Sequence, residues 1–320
     1  MKKRLCRAIL HQEYDHQQSI LNRGLRLITR KTLPKFFGKA FYSAYADEKR
    51  LWAGRESALT ISFDCDGKKD YEALPGLLDL LSSLHLPASF AVIGRWVEED
   101  PAIHRKIIAD GHEIVNHSYS HPSSSMFRPG TRFNQLSCQE KREEILRAHN
   151  SFLELLQYTS TGFRTPHFAS AHTKDIYDIL GELGYKYSSS LKATDAPYFN
   201  LPFLTSNGIV EFPLSADINQ PYTCFDTWNR FKGEKRETSS ASITEFFLGV
   251  RIAVEKTIEN NGYFNIYFDP VDFVMFPEFR ECLSIISDLR DHIHITTYRD
   301  ILPLVQEQKT CSNRKGYHSA

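Results

Sequence analysis

From residue 58 onward, short apolar segments of strand-like composition alternate with longer segments of helical periodicity. Repeated strand–helix units favour a parallel sheet covered by helices. With about seven or eight such units in one run, the pattern predicts an α/β fold built as a closed or nearly closed β/α barrel. An open doubly wound sheet is the weaker alternative, because no glycine-rich phosphate loop follows the first strand.

The charge pattern separates residues 1–55 from the rest of the chain. This segment holds 13 of the 39 Lys and Arg residues but only 4 of the 39 Asp and Glu residues, an excess of nine positive charges in a chain of zero net charge. We predict a basic helical N-terminal extension over 1–55, a catalytic domain over 56–305 and a flexible C-terminal tail over 306–320. The extension could turn its basic face to water or contact a membrane surface.

The sequence also restricts partners and compartment. The excess of acidic residues beyond residue 55 argues against a nucleic-acid partner. The start of the chain lacks the apolar core of a secretory signal, and no run approaches the roughly 20 apolar residues that span a bilayer. The six cysteines include no C-x-x-C pair, which fits a reducing compartment. We therefore predict a cytoplasmic protein, with membrane association possible through residues 1–55.

Polar residues collect where the predicted strands end, which is where β/α barrels place their active sites. From the first predicted strand to the last long one, they are Asp64 and Asp66, His117 and His121, Arg164 and His167, Glu211 and Asp217, and Asp269 and Asp272. These residues are the candidates for chemistry.

Two of these groups suggest a metal ion. His117 and His121 are four apart, a spacing that places two imidazoles on one side of a helical turn, and Asp66 could complete a site of two histidines and one carboxylate. Asp64 and Asp66 point the same way if the strand stays regular, so their charges repel unless a cation or a shared proton intervenes. A metal ion together with a nearby arginine would resolve that conflict, and Arg164 could orient a carboxylate. Taken singly, the histidines could be surface or capping residues, the aspartates a turn, and the arginine a surface salt-bridge partner.

Read in order, the segments ISFDCDG, GHEIVNHSYSHP, FRTPHF and IVEFPL resemble the motifs of the polysaccharide deacetylase family, carbohydrate esterase family four. The resemblance covers about residues 56–305. It implies a distorted barrel of seven β/α units. It also implies a hydrolase that uses one divalent metal ion, with zinc expected, to remove an N-acetyl, formyl or other acyl group from an amino sugar.

The resemblance assigns roles by position in the first three motifs. Asp64 matches the general base, and Asp66, His117 and His121 match the metal ligands. Arg164 matches the residue that orients the base. In this assignment the two aspartates have different tasks, since the metal would neutralise Asp66 and leave Asp64 to accept a proton.

One departure concerns the general acid. The family's fifth motif supplies a histidine, whereas this chain has Asp269 there, in IYFDPVDF. Three alternatives stay open: Asp269 is the acid, His167 or a substrate group is the acid, or the protein binds carbohydrate without turnover. The backbone N–H of His167 matches the family's oxyanion position, and Pro166, Phe168 and Trp228 are candidate substrate contacts.

The predicted function is therefore hydrolysis of an N-acetyl group on an amino sugar or glycan precursor. The alternatives are a deformylase or other small-amide hydrolase on the same scaffold, and a catalytically silent carbohydrate-binding protein. Aromatic residues in two long loops could stack on sugar faces or pack the loops onto the barrel; they are Phe127, Phe133, Tyr222, Phe225 and Trp228.

Overall fold

A computed structural model describes residues 3–4, 6–7, 39–46, 50, 52–220, 223–232 and 240–315. Within these ranges the strands are β1 (Ala58–Cys65), β2 (Ser89–Val92), β3 (Glu113–Asn116), β4 (Gly162–Phe163), β5 (Tyr187–Ser188), β6 (Phe203–Leu204), β7 (Val210–Glu211), β8 (Tyr263–Phe268) and β9 (His294–Thr296). They form one sheet in the order β6-β7-β5-β4-β3-β2-β1-β8, and β9 also pairs with β1. All of its ladders are parallel except that between β6 and β7.

Helices follow most of the strands. They are α1 (Lys68–Ser83), α2 (Gly94–Glu99), α3 (Pro101–Ala109), α4 (Cys138–Leu156), α5 (Phe168–Ala171), α6 (Ile176–Glu182), α7 (Ser240–Glu259), α8 (Asp272–Met275), α9 (Pro277–Asp288) and α10 (Tyr298–Lys315). Asp100 caps α3, since its carboxylate accepts hydrogen bonds from the backbone N–H groups of Ala102 and Ile103.

The sheet curls into the predicted barrel, and the α/β fold with a distorted (β/α)7 architecture is confirmed. Seven mutually parallel strands form its wall when the antiparallel β6 and the short β9 are set aside. In the described residues no ladder joins β7 to β8. The two are linked beyond β7, where the backbone N–H of Ser215 donates to the carbonyl of Asn265 at 2.8 Å.

Strand β1 shows how the alternation of a strand builds the site. Phe63 and Cys65 pack in the apolar core beneath the helices, with the Phe63 ring stacked on Phe90. The intervening residues Ser62 and Asp64 face the opposite way, into a polar barrel interior. The sequence therefore directs apolar side chains to the helices and polar side chains to the centre of the barrel.

Residues 1–55 lie largely outside the described part of the chain. Where the segment is described it packs on the barrel, because the hydroxyl of Tyr42 donates to the carbonyl of Ala216 at 2.6 Å and that of Tyr45 to Pro197 at 3.1 Å. At the other end α10 continues to Lys315, so the boundary predicted at residue 305 falls inside a helix. Among the described helices, none has the length and apolar character needed to cross a bilayer.

Candidate active site

A cleft of about 1270 Å³ opens at the carboxyl ends of the parallel strands. Most of the residues predicted from the sequence line it, namely Asp64, Asp66, His121, His167, Phe168, Asp217, Trp228 and Asp269. His117 and Arg164 are fully buried and hydrogen-bonded to each other, and Pro166 is buried without lining the cleft. The first three motifs, distant in sequence, are thus brought to one end of the barrel.

The three predicted metal ligands converge. Their ligand atoms all lie within 4.8 Å of one another. Nε2 of His117 lies 3.2 Å from Oδ1 of Asp66, and Nε2 of His121 lies 3.4 Å from Oδ2 of the same carboxylate. Both Nε2 atoms and Oδ1 are buried polar atoms without a hydrogen-bond partner. Buried polar atoms left in this way are costly unless a ligand binds them, so the donor set fits one divalent cation.

The local electrostatics give two of the three candidate ligands the protonation state that binds a metal ion. Burial raises the pKa of Asp66, but the adjacent imidazoles of His121 and His117 outweigh burial and hold that pKa well below its usual range. Burial lowers the pKa of His121 to about 3. Near neutral pH these two residues are therefore an anionic carboxylate and a neutral imidazole, the forms that bind a metal. Burial also lowers the pKa of His117, but Asp66 and Asp64 raise it overall, so a metal ion competes there with a proton.

The helical turn predicted for His117 to His121 is wrong. The segment is an irregular loop in which Ser118 (φ 65°) and His121 (φ 49°) adopt left-handed conformations. Two side chains hold this shape: Oδ1 of Asn116 accepts from the N–H of Ser118 at 2.8 Å, and Oε2 of Glu144 accepts from the next two backbone N–H groups at 3.1 and 2.8 Å. The imidazoles meet because the loop is folded back, rather than because of a helical period.

A backbone carbonyl orients His117. Its Nδ1 lies 2.8 Å from the carbonyl oxygen of Arg164, which can only accept a hydrogen bond. The proton therefore sits on Nδ1, and the lone pair of Nε2 points toward Asp66.

Arg164 is a buried cation rather than a surface salt-bridge partner. Its Nη1 donates to Oδ1 of Asp64, and its Nη2 donates to Ser62 Oγ at 2.9 Å and to the hydroxyl of Tyr298 at 2.7 Å. Its Nε donates to the carbonyl of Ser189 at 3.1 Å. Burial lowers the pKa of the guanidinium, but the charge of Asp64 outweighs this and raises it. The arrangement fixes a permanently charged group behind the carboxylate of Asp64.

The two candidates for the general acid both line the cleft. His167 has a left-handed backbone (φ 56°) at the start of α5, and its ring centroid lies 4.6 Å from that of His121. Partial burial lowers the pKa of His167, so this ring is neutral near pH 7. Asp269 follows the last residue of β8, and its backbone N–H donates to Oδ2 of Asp272 at 3.0 Å.

Most of the loop aromatics pack the protein rather than face the cleft. Phe133 and Phe225 are buried, and the ring of Phe127 packs on Trp96. Tyr222 lies outside the described residues. Trp228 is 57% exposed and lines the cleft, so it remains a candidate sugar contact.

Sequence reasoning missed several residues that support the site. They are Ser62, Asn116, Glu144, Ser189 and Tyr298, all hydrogen-bonded to a predicted site residue or to the loop that carries one. Ser62 could have been found, because it lies two residues before Asp64 in one strand and must face the same side. Asn116 directly precedes His117, and Glu144, Ser189 and Tyr298 come from other segments that no local pattern marks.

Comparison with known proteins agrees with this arrangement. Residues 53–188 match the family described as polysaccharide deacetylase. A chitooligosaccharide deacetylase from Bradyrhizobium sp. (strain ANU 289) is 39% identical over 69 residues, which are 22% of this chain and 31% of that protein. Matched segments span about a quarter to a third of the curated relatives.

Two solved structures share the fold. A candidate polysaccharide deacetylase from Mycobacterium smegmatis superposes with a TM-score of 0.67 at 19% identity, covering 82% of this chain and 94% of that one. The allantoinase PuuE superposes with a TM-score of 0.63 at 15% identity, covering 79% and 91%. Since the barrel is shared with an allantoinase, the family assignment depends on the sequence match and its motifs. Residues 53–188, which carry the Asp-His-His triad and the Asp64–Arg164 pair, match the polysaccharide deacetylase family.

Proposed function

We propose that this protein is a metal-dependent hydrolase that removes the N-acetyl group from an amino sugar of a glycan or glycan precursor. The observation that carries the proposal is the convergence of Asp66, His117 and His121, with unpartnered buried ligand atoms, in the cleft that Asp64 also lines. The family assignment supports the reaction class, and the name of the Bradyrhizobium relative supports an N-acetylated saccharide.

The triad would hold the metal ion, which when bound supplies Lewis acidity toward the amide carbonyl and toward water. Asp64 accepts the proton of the attacking water. Arg164 keeps that carboxylate in one orientation through the buried pair. The backbone N–H of His167 is assigned to the developing oxyanion, as the family resemblance implies.

The leaving nitrogen needs a proton, and we assign this donation to Asp269. It lines the same cleft at the end of β8, at the place where the family's fifth motif has a histidine. His167 is the alternative donor; its lowered pKa leaves the ring neutral near pH 7, and either group must take up a proton before it can donate one. Phe168 and Trp228 line the cleft and provide apolar surface for the sugar ring.

The test is acetate release from N-acetylated oligosaccharides by the zinc-loaded protein, compared with Asp64→Asn and with the exposed substitution Asp79→Asn on α1. We expect release by the wild type and by Asp79→Asn, and a loss of at least about 100-fold in Asp64→Asn. Formate release from N-formylated substrates, without acetate release, would instead identify the deformylase alternative.

A silent carbohydrate-binding protein is the second candidate, favoured by Asp269 at the position of the family histidine. This candidate predicts that the protein binds saccharides without releasing acetate or formate. It also predicts that Asp64→Asn leaves this binding unchanged. Calorimetric titration with the same oligosaccharides would detect it.

A further inference from the structure

The loop that presents Asp269 has all of its backbone donors fixed by two buried carboxylates. The N–H of Asp269 donates to Oδ2 of Asp272 at 3.0 Å, and the N–H of Val271 donates to Oδ1 of Asp70 at 3.2 Å. Between them, Pro270 has no N–H to place. Asp272 is fully buried and Asp70 is 6% exposed. In this conformation the loop from Asp269 to Val271 satisfies both of its backbone donors.

Asp70 also reaches the metal side of the cleft. Its second oxygen, Oδ2, accepts from the N–H of Gly67 at 2.9 Å, directly after the metal-ligand candidate Asp66. The two oxygens of this carboxylate therefore bind two loops, one after β1 and one after β8. The bond to Gly67 is the capping box at the start of α1, whereas the bond to Val271 spans 201 positions in the sequence.

Packing around the two carboxylates keeps the loops together. The ring of Phe273 on α8 lies so close to α1 that a Cβ added at Gly76 would be 2.8 Å from it. On the opposite side, the hydroxyl of Thr227 donates to Oδ2 of Asp272 at 2.5 Å, next to Trp228. The Asp269 loop is thus held from α1 on one side and from the Trp228 segment on the other.

We propose that Asp70 is a positioning residue that sets the place of Asp269 relative to the metal triad. A general acid must lie within hydrogen-bond reach of the leaving nitrogen while that nitrogen is bound near the metal. Asp70 lines the same cleft as Asp269. It holds the backbone of both loops, so that the two move as one unit. The catalytic part of this inference rests on the proposed deacetylase function, whereas the link that Asp70 makes between the two loops does not.

The first arm of the test is hydrogen exchange of the metal-free protein, read at the amides of Gly67 and Val271 by NMR. We expect Asp70→Ala to speed exchange about tenfold at both amides, and Asp70→Asn, which keeps one oxygen, to speed it at one of them or both. The control is Asp79→Asn, an exposed residue of the same helix, which should change neither amide. If exchange at the Val271 amide is unchanged in both Asp70 variants, Asp70 does not hold the loop after β8. This outcome would overturn the proposal whether or not the protein has deacetylase activity.

The second arm is a double-mutant cycle on kcat. We expect Asp70→Asn to lower kcat about tenfold in the wild type but less than about twofold in Asp269→Asn, with KM and zinc affinity unchanged within about threefold. Equal losses in the two backgrounds would show that Asp70 does not act through Asp269 and would overturn the proposal. A tenfold loss of zinc affinity would also overturn it, by placing the effect on the metal loop. If the wild type releases no acetate, the deacetylase proposal fails. The hydrogen-exchange measurement still decides whether Asp70 links the two loops.

Discussion

Nδ1 of His117 lies 2.8 Å from the carbonyl oxygen of Arg164, so a metal-ligand candidate is hydrogen-bonded to the residue whose guanidinium holds Asp64. One residue thereby orients both halves of the site, the ligand through its backbone and the base through its side chain. The metal site and the base therefore depend on the same short segment after β4.

Removing Arg164 should destabilise the fold. Arg164→Met leaves the carboxylate of Asp64 buried without its cation, for which we expect a loss of about 3–5 kcal/mol in the free energy of unfolding. Arg164→Lys should lose less, because it keeps the charge. Urea unfolding followed by circular dichroism measures both. Arg142→Met breaks a pair in which Glu182 is 59% exposed and should lose no more than about 1 kcal/mol. Equal losses at the two arginines would contradict the buried-pair interpretation.

Glu144 should matter for metal binding although its carboxylate is not a ligand. Glu144→Gln weakens the hydrogen bonds that fold back the His117–His121 loop, so we expect zinc affinity to fall about 10–100-fold. Competition with a chromogenic chelator measures the Kd. Glu154→Gln, at an exposed position of the same helix, should leave it unchanged. Unchanged affinity in Glu144→Gln would mean that the loop keeps its shape without the carboxylate.

Gly162 in β4 has no room for a side chain. A Cβ there would overlap the ring of Tyr187, which is fully buried and whose hydroxyl donates to Glu113. We expect Gly162→Ala to lower the free energy of unfolding by about 3 kcal/mol or more, because the ring must shift within a packed core. Gly181→Ala, in helix α6 with its nearest neighbour at 3.7 Å, should be neutral or stabilising. Thermal melts of both variants compare them directly.

His104 should make stability fall in acid. Burial lowers its pKa to about 4 from an ordinary value of 6.5, so between these values the unfolded chain binds a proton that the folded protein does not. The stabilisation is therefore complete above about pH 6.5 and is lost as the pH falls to about 4, a total of about 3 kcal/mol. Urea unfolding from pH 7 to pH 4.5 should show a shallower decline in His104→Gln than in the wild type. Identical pH dependence in the two proteins would contradict this assignment.

The barrel and the convergence of the polar residues at its strand ends could be predicted from the sequence. The strand–helix unit repeats along the chain, and parallel strands bring their carboxyl ends to one end of a barrel. The sequence did not predict how His117 and His121 meet. The shape of the loop depends on a local hydrogen bond to Asn116 and on tertiary hydrogen bonds to Glu144 from another element, and neither leaves a periodic signal. For the same reason the acceptors around Arg164, drawn from β1, the loop after β5 and α10, were visible only in the folded chain.

The link between Ser215 and Asn265 has a consequence for how the cleft can vary. Between the ends of β7 and β8 the described chain has no ladder, and the segment that leaves this seam at Asp217 and returns through Trp228 lines the far wall of the cleft. Residues can be added at the tip of that segment, beyond the bridge between Ala216 and Cys224, without breaking the ladders of the barrel. Relatives could therefore alter the length of the wall that meets the sugar chain while the catalytic end of the barrel stays the same.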